Sequence, residues 1–447
     1  MSLADYLQLV QNAIQTDTLH IALSVDPTTQ HVAPLQKNLQ NYSNSHIMSE
    51  IEKASFFGGD WPSFETLVQS YLIFVRDFDP WSLQKSIDLL IKFYESLSVA
   101  LNNNQNAKLL RLVQESTSSI VRLAKLVDEK LMSINGRTND YPRLSYMTTL
   151  LLKSLNNIRN DPELNIPSKR YKISILMFLS ITLCQTYMYI DSVMLCNNVF
   201  SNINILALDK SLISRKQLIQ YRFVLGKFHL LQSNYYVAYH HFYWCFKNCH
   251  QQAPLKNILL ILKYLLPSGL LVGKCPNLQY LEAQLGNHEL LQLYRPLIQC
   301  YKNGDLFGFS KMVAKKQEYF IKLGILIGFL QRVRILVLRN LVLRTYKLQG
   351  GLSFDYVRNA LEVSLSPESM KNEFAARHEW FYTVLNEGLD ETLVETLLMS
   401  LIDANLLKAK LTPSRTIIMS KTGLFPDPYS VYEKGIKRND KEKKWLD

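Results

Sequence analysis

The feature that most constrains the fold is a run of the chain rich in both cations and aliphatic side chains, residues 311–347. It holds nine Lys or Arg and one Glu among many Leu, Ile and Val. No Gly or Pro interrupts residues 329–349, and this length exceeds that of an ordinary strand, so a helix is predicted. Such a helix buries one side in a core and offers its cations to something acidic. We call residues 311–347 the connector.

Length and charge bound the class of protein. The chain has 447 residues, more than a single core usually accommodates, so two or three structural units are expected. Its net charge of +12 favours acidic partners or a polyanion and does not choose between them. The six cysteines are scattered, in neither a disulfide framework nor a paired zinc spacing. This pattern predicts a reducing compartment.

Neither a signal peptide nor a membrane-spanning segment is predicted. The N-terminal residues lack a basic region and a continuous apolar core. The most membrane-like run, residues 257–273, contains Lys263 and Pro267 and falls short of the roughly twenty apolar residues that a spanning helix needs. We therefore expect a soluble, intracellular protein without membrane insertion.

Upstream of the connector, helices of about fifteen residues alternate with short polar connections, which is typical of helical repeats. The tetratricopeptide pattern is matched at Leu225–Gly226, Ala238 and Phe242. Small residues at these positions allow two helices to approach closely, while the aromatic ring fills the gap. Because Arg222 replaces the usual Trp and His250 the terminal Pro, a degenerate repeat is predicted rather than a regular array.

A break at residues 76–82, RDFDPWS, separates two helical patterns in the N-terminal half. Asp79 before Pro80 is typical of a helix start, since the carboxylate caps free N–H groups and proline fixes the first turn. Trp81 is then expected to pack the new helix against its neighbour.

After Gly350 and Gly351 the pattern becomes that of a small mixed α/β unit. The predicted elements are a strand at 352–354, helices at 355–364 and 391–405, and extended segments at 406–411 and 415–420. Following the connector helix, this is the order of a winged helix, a helix-turn-helix variant with a β-hairpin wing. Residues 366–389 are interpreted as an acidic insertion between the two short helices.

These patterns predict a mainly α protein, a TPR-like helical-repeat solenoid followed by a C-terminal winged helix. The predicted parts are N-terminal helical repeats at 1–210, a TPR-like helical part at 211–330, a winged helix at 331–425 and a charged, disordered tail at 426–447.

The sequence favours a protein without catalytic activity or a cofactor. It has no Gly-flanked serine elbow and no standard phosphate-binding glycine loop. The metal-like residues are His240, His241, Cys245, Cys249 and His250. On one helix Cys249 would lie about 12 Å along the axis from His241, too far to share a zinc ion. A zinc enzyme built on this cluster remains an alternative, and it would require stoichiometric zinc.

Several basic residues are candidate contacts with nucleic acid or with a partner. Phosphate groups need cationic donors, and such contacts are largely independent of sequence. The predicted helix at 391–405 carries three acidic residues and no Lys or Arg, so base reading by this helix is not expected. A merely solvated basic surface is the alternative for the wing. The predicted nucleic-acid contacts are Lys408, Lys410, Arg415, Lys421, Arg339 and Arg332, and the predicted partner contacts are Lys311, Lys315, Lys316 and Lys322.

Particular motifs carry a family resemblance, strongest over residues 221–346. They are Leu225–Gly226, ILKYLLPSGLLVGK with Pro267 and Gly273, KQEYFIKLG with Gly324, LRNLVLRTY with Arg339 and Asn340, IIMSKTGLFP at 417–426, and RDFDPWS upstream. With this architecture, the sequence resembles PCI-domain proteins, and more specifically the Thp/PCID group. That group provides the PCI subunit of the nuclear-pore-associated transcription-and-export (TREX-type) mRNA export complex.

The resemblance implies partners and a location. A scaffold subunit of the Sac/GANP type would be clasped by the helical part, and a small acidic subunit of the Sem/DSS type would lie along the helices near the connector. The winged helix would bind RNA or DNA, in the nucleus and at nuclear pores, which the protein would reach indirectly. The alternative is a protein-binding PCI subunit of a signalosome or proteasome-lid type assembly without nucleic-acid binding.

Overall fold

The computed structural model describes residues 1–136, 141–160, 170–250, 253–286, 288–377, 382–383, 389–413 and 415–437. The chain divides into two compact units between Tyr221 and Arg222, within a single helix. In the described residues nearly all regular structure is helical, with one two-stranded sheet. The prediction of a mainly α fold is confirmed.

The first unit is built from consecutive helices. Their bounds are α1 Leu3–Thr16, α2 Leu19–Ala22, α3 Val32–Leu39, α4 Asn44–Ala54, α5 Pro62–Asp77, α6 Leu83–Ala100, α7 Leu110–Asn135, α8 Pro142–Arg159, α9 Arg170–Tyr189, α10 Cys196–Ile205 and α11 Arg215–Leu231, which continues into the second unit. Helix α5 packs against α6, α6 against α7 and α8, and α8 against α9. Each helix thus covers its neighbour's apolar face, which is how helical repeats bury a continuous core.

The break at RDFDPWS differs from its prediction. Helix α6 begins at Leu83 rather than at Pro80, and the Asp79 carboxylate accepts a hydrogen bond from the Trp81 amide within a turn. The Trp81 side chain is 96% exposed, so the expected packing against a neighbouring helix is wrong. A local capping signal fixed the turn but carried no information on which way the indole would point.

The second unit contains the end of the repeat, the connector and the small mixed unit. Its elements are α12 Tyr235–Asn248, α13 Leu255–Leu271, α14 Leu278–Leu285, α15 Glu289–Asn303, α16 Leu306–Lys315, α17 Gln317–Lys322, α18 Leu326–Gly328, α19 Arg334–Gln349, α20 Phe354–Leu365, α21 Pro367–Ala375, α22 Glu391–Asp403, β1 Ala409–Leu411, β2 Ile417–Met419 and α23 Pro428–Lys437. A π-helical turn, Phe329–Val333, joins α18 to α19. The helix predicted over residues 329–349 is therefore present, whereas the earlier part of the connector is divided among α16, α17 and α18.

The tetratricopeptide interpretation of α11 and α12 is supported by their close approach. A Cβ atom placed on Gly226 would lie 2.9 Å from Cε1 of Phe242 and 3.2 Å from Cβ of His241. Ala238 and Phe242 are fully buried. The glycine is therefore needed because the ring of Phe242 fills the space that a side chain would take.

The C-terminal part of this unit is a winged helix. Helices α20 and α22 and the antiparallel hairpin follow the predicted order, with Lys410 opposite Ile418 in the register. The strand predicted at 352–354 is wrong, because Ser353 accepts a hydrogen bond from the Tyr356 amide and starts α20 instead. The predicted insertion begins with α21, whose Met370 and Phe374 are buried in the core. Residues 366–375 therefore belong to the fold.

The C-terminal tail also differs from its prediction over its first part. Residues 428–437 form α23, and Tyr429 and Tyr432 pack against the core. Burial of these aromatic side chains stabilises the helix despite its alternating charges. Residues 438–447 lie outside the described part. The boundaries at 210, 330 and 425 stay predictions. In the described residues no helix combines the length and apolarity needed to cross a membrane.

Candidate nucleic-acid interface

Positive charge is concentrated in the second half of the chain. Residues 1–221 carry 20 Lys and Arg against 19 Asp and Glu, whereas residues 222–447 carry 30 against 19. Within residues 222–347 the balance is 17 against 4. An acidic partner or a polyanion would therefore be attracted to the second unit rather than to the first.

The hairpin and the residues that flank its strands place three lysines at the surface, and we call these lysines together with Ile418 the wing surface: Lys408, Lys410, Ile418 and Lys421. Alternate residues of a strand point to opposite sides, and here Lys410 and Ile418 are exposed, while the inward residues pack against the core. The Lys408 amide donates to the Leu424 carbonyl at 2.8 Å, and its carbonyl accepts from the Ser420 amide at 2.9 Å. Within the described residues, none of the three lysines forms an ion pair.

Arg415 lies in the hairpin turn and is engaged differently. Its backbone is left-handed, with φ 57°, and its guanidinium forms an ion pair with the Glu391 carboxylate. Both side chains remain about half exposed. Arg415 is thus accessible, but it is not an uncompensated cation like the lysines.

Helix α22 presents an acidic surface. Asp390 caps its start by accepting from the Leu393 amide at 2.9 Å, and Val394, Leu398 and Leu401 face the core. The exposed positions include Glu391 and Glu395. This helix sits where winged helices place their recognition helix, and its charge disfavours insertion into a DNA groove.

Arg332 and Arg339 share a helical face, as predicted, but that face is covered by the chain's own C-terminal segment. The Arg332 guanidinium lies 5.2 Å from the ring centroid of Tyr235 and 4.9 Å from that of Tyr432. Arg339 is only 8% exposed and donates to the carbonyls of Phe425 at 3.3 Å and Pro426 at 2.8 Å.

Burial lowers the pKa of Arg339 from its ordinary value, and the carbonyls of Phe425 and Pro426 both accept hydrogen bonds from its Nη2. Both arginines therefore fasten residues 425–432 to the connector. Arg339 is therefore engaged within the fold rather than presented to a phosphate, whereas Arg332 is partly exposed and its contact with phosphate stays a prediction. The spacing of seven residues identified the shared face correctly but could not show what covers it.

The connector lysines are on the surface. Lys315, Lys316 and Lys322 are exposed, and within the described residues none forms an ion pair. Lys311 pairs with Glu373 of α21 at 3.2 Å. A partner contacting Lys311 would have to compete with that carboxylate.

The contacts of α23 were not predicted from the sequence. The Tyr429 hydroxyl lies 2.7 Å from Nε2 of His240, and the Lys274 ammonium lies 4.2 Å from the Tyr429 ring centroid. A Cβ on Gly273 would come within 2.7 Å of Pro428. The only sequence signal was the resemblance at residues 417–426. His240 of the metal-like cluster thus serves an aromatic contact, and Cys245 is buried.

Comparison with known proteins found several relatives, two of which match the chain over nearly their whole length. The chain is 26% identical over 438 residues to the nuclear mRNA export protein THP1 of Saccharomyces cerevisiae, with 93% of each chain covered. It is 26% identical over 464 residues to a PCI domain-containing protein of Schizosaccharomyces pombe, covering 99% of this chain and 98% of the other. It is 28% identical over 249 residues to the CSN12 homolog of Neurospora crassa, covering 55% and 53%. No family model matches the chain.

Proposed function

Since the chain belongs to the PCI-domain proteins of the Thp/PCID group, we propose that it is a non-enzymatic scaffold and nucleic-acid-binding subunit of a nuclear mRNA export complex. The similarity to a nuclear mRNA export protein over 93% of both chains supports the export role. A nuclear location, association with nuclear pores and coupling to transcription are part of the same proposal.

The wing surface carries the nucleic-acid-binding part of the proposal. Lys410 stands on a hairpin whose other face packs against the core, and Lys408 and Lys421 are exposed residues that flank its strands, so the fold brings the three lysines to this surface. Lysine binds phosphate as a point charge, and contacts with phosphate carry no direct sequence information. Together with the acidic surface of α22, this arrangement favours contact with the sugar-phosphate backbone and little preference for sequence.

The proposed partners are supported by the positive charge of residues 222–347 and by the family resemblance. The 17 cations against 4 acids in residues 222–347 suit a small acidic subunit of the Sem/DSS type, with Lys311, Lys315, Lys316 and Lys322 as its contacts. A scaffold subunit of the Sac/GANP type is proposed to bind the helical part.

We expect the Lys408→Glu/Lys410→Glu variant to bind a fluorescent oligouridine at least about tenfold more weakly at low salt. Each lost phosphate contact should also flatten the slope of log affinity against log salt by about 0.7. Fluorescence anisotropy of the full chain across a salt series measures both quantities. The matched control is Lys85→Glu/Lys92→Glu on α6, two exposed lysines of the first unit, which should leave the affinity nearly unchanged. Equal binding by wild type and wing variant would remove the wing from the account.

The alternative function is a protein-binding PCI subunit of a signalosome or proteasome-lid type assembly. The similarity to the CSN12 homolog over about half of the chain supports this alternative. It predicts no retention of nucleic acid at moderate salt and stable association with other PCI subunits.

A further inference from the structure

Of the four predicted contacts on or beside the wing, Arg415 alone has its charge paired within the described residues. Its partner is Glu391, the first residue of α22. Because the Asp390 side chain caps that helix, the first turn is fixed where the carboxylate can reach the hairpin turn. Lys408, Lys410 and Lys421 have no comparable acidic neighbour among the residues that the structure describes.

The surroundings of the pair contain a second cation and a second acid. A cavity of about 210 Å³ separates the hairpin turn from α20 and α22, and its charged lining residues are Asp355, Arg358, Glu391 and Arg415. Arg358 is engaged by Glu362 at 3.3 Å. The two acids of the cavity therefore oppose the approach of a phosphate to Arg415.

We propose that Glu391 competes with nucleic acid for Arg415 and thereby limits the affinity of the wing surface. This inference rests on the proposed binding of nucleic acid by the wing. The guanidinium of Arg415 can donate to a carboxylate or to a phosphate through the same pair of N–H groups. A strand that engages the lysines therefore gains the Arg415 contact only when a phosphate replaces the Glu391 carboxylate.

The exchange is feasible because the pair is exposed. Side-chain exposure is 57% for Arg415 and 48% for Glu391, and ion pairs in such positions are weak and screened by salt. After the exchange, Glu391 stays at the surface beside the strand and repels it. Glu391 is thus an affinity-determining residue although it makes no favourable contact with the ligand.

The Glu391→Gln variant of the full chain is expected to bind the fluorescent oligouridine about two- to fivefold more tightly at low salt. It should also steepen the salt dependence, because Arg415 becomes a full phosphate contact. The matched control is Glu395→Gln, which makes the same change of charge one turn later on α22, at an exposed position without an ion pair to a described residue. Its gain should be clearly smaller. Thermal unfolding midpoints should stay close to wild type, since the Asp390 cap is retained.

A double-mutant cycle with Arg415→Gln separates competition from general repulsion. In the Arg415→Gln background, Glu391→Gln should give no more gain than Glu395→Gln does. Equal gains from Glu391→Gln and Glu395→Gln, or a gain that persists without Arg415, would overturn the inference. Those results leave the proposed function standing if Lys408→Glu/Lys410→Glu still weakens binding. If that lysine variant has no effect, the proposed binding of nucleic acid by the wing fails as well.

Discussion

Replacing Arg339 by methionine should destabilise the second unit by about 2 to 4 kcal/mol. The guanidinium is buried and donates to the carbonyls of Phe425 and Pro426 and to Oδ1 of Asn340. Methionine fills much of the same volume, so the cost of a cavity is small. The loss of charged hydrogen bonds therefore dominates, and two carbonyl groups are left without their donor.

The effect should be largest in the segment that Arg339 fastens. Hydrogen exchange of the amides in α23 should accelerate strongly, and the urea midpoint of the second unit should fall. Arg344→Met is the matched control, because Arg344 is an exposed residue of the same helix whose one side-chain partner among the described residues is Asn303. It should cost less than about 1 kcal/mol. If both variants exchange α23 amides at the wild-type rate, Arg339 does not hold the C-terminal segment.

Replacing Gly304 by alanine should cost about 3 to 5 kcal/mol, from the left-handed backbone and the displacement of a neighbour. Gly304 has φ 77°, and a Cβ there would lie 2.6 Å from Cα and 2.7 Å from N of Leu341. These are backbone atoms of α19 and cannot move aside as a flexible side chain could. The Gly304 carbonyl also accepts from the Ser364 hydroxyl of α20 at 2.5 Å.

The Gly350→Ala variant separates the cost of the left-handed backbone from the cost of displacing a neighbouring residue. Gly350 has nearly the same backbone angle, φ 69°, but no atom lies within 4 Å of its added Cβ. Its cost should be only about 1 to 2 kcal/mol. Thermal or urea unfolding of the two variants measures the difference. Equal costs would mean that the close approach of α15 and α19 contributes nothing to stability.

The sequence could predict the elements whose own residues define them. The helix at residues 329–349 follows from a long run rich in aliphatic residues that no Gly or Pro interrupts. The close approach of α11 and α12 follows from Gly226 and Phe242. The hairpin follows from two short extended segments around Pro413. In each case the deciding interaction is local or belongs to a repeat with a known spacing.

The wrong predictions concern surfaces that are covered by residues distant in the chain, and a local sequence pattern does not reveal such contacts. Arg339 could be placed on the correct helical face, but its partners lie more than eighty residues away at Phe425 and Pro426. Helix α23 was mistaken for a disordered tail because its charges were weighed without the contacts that Tyr429 makes with His240 and Tyr432 makes with Arg332. The charge pattern placed Lys408, Lys410 and Lys421 at the surface, where the structure has them. It could not show that Arg339 is buried.

These contacts bear on the function because they fix the wing. Arg339 and α23 attach the chain that follows the hairpin to the connector, and Gly304 brings α15, α19 and α20 together. The motifs that carry the family resemblance, including Arg339, Asn340 and Gly273, are accounted for by packing. The exposed lysines that they position are then free to serve as contacts with phosphate.

The most direct test of the account is affinity purification of the chain from its own cells, with identification of the proteins that accompany it. We expect a large scaffold subunit of the Sac/GANP type and a small acidic subunit of the Sem/DSS type in stoichiometric amounts. Recovery of several other PCI subunits of a signalosome or proteasome lid, without those two proteins, would contradict the proposed role in mRNA export.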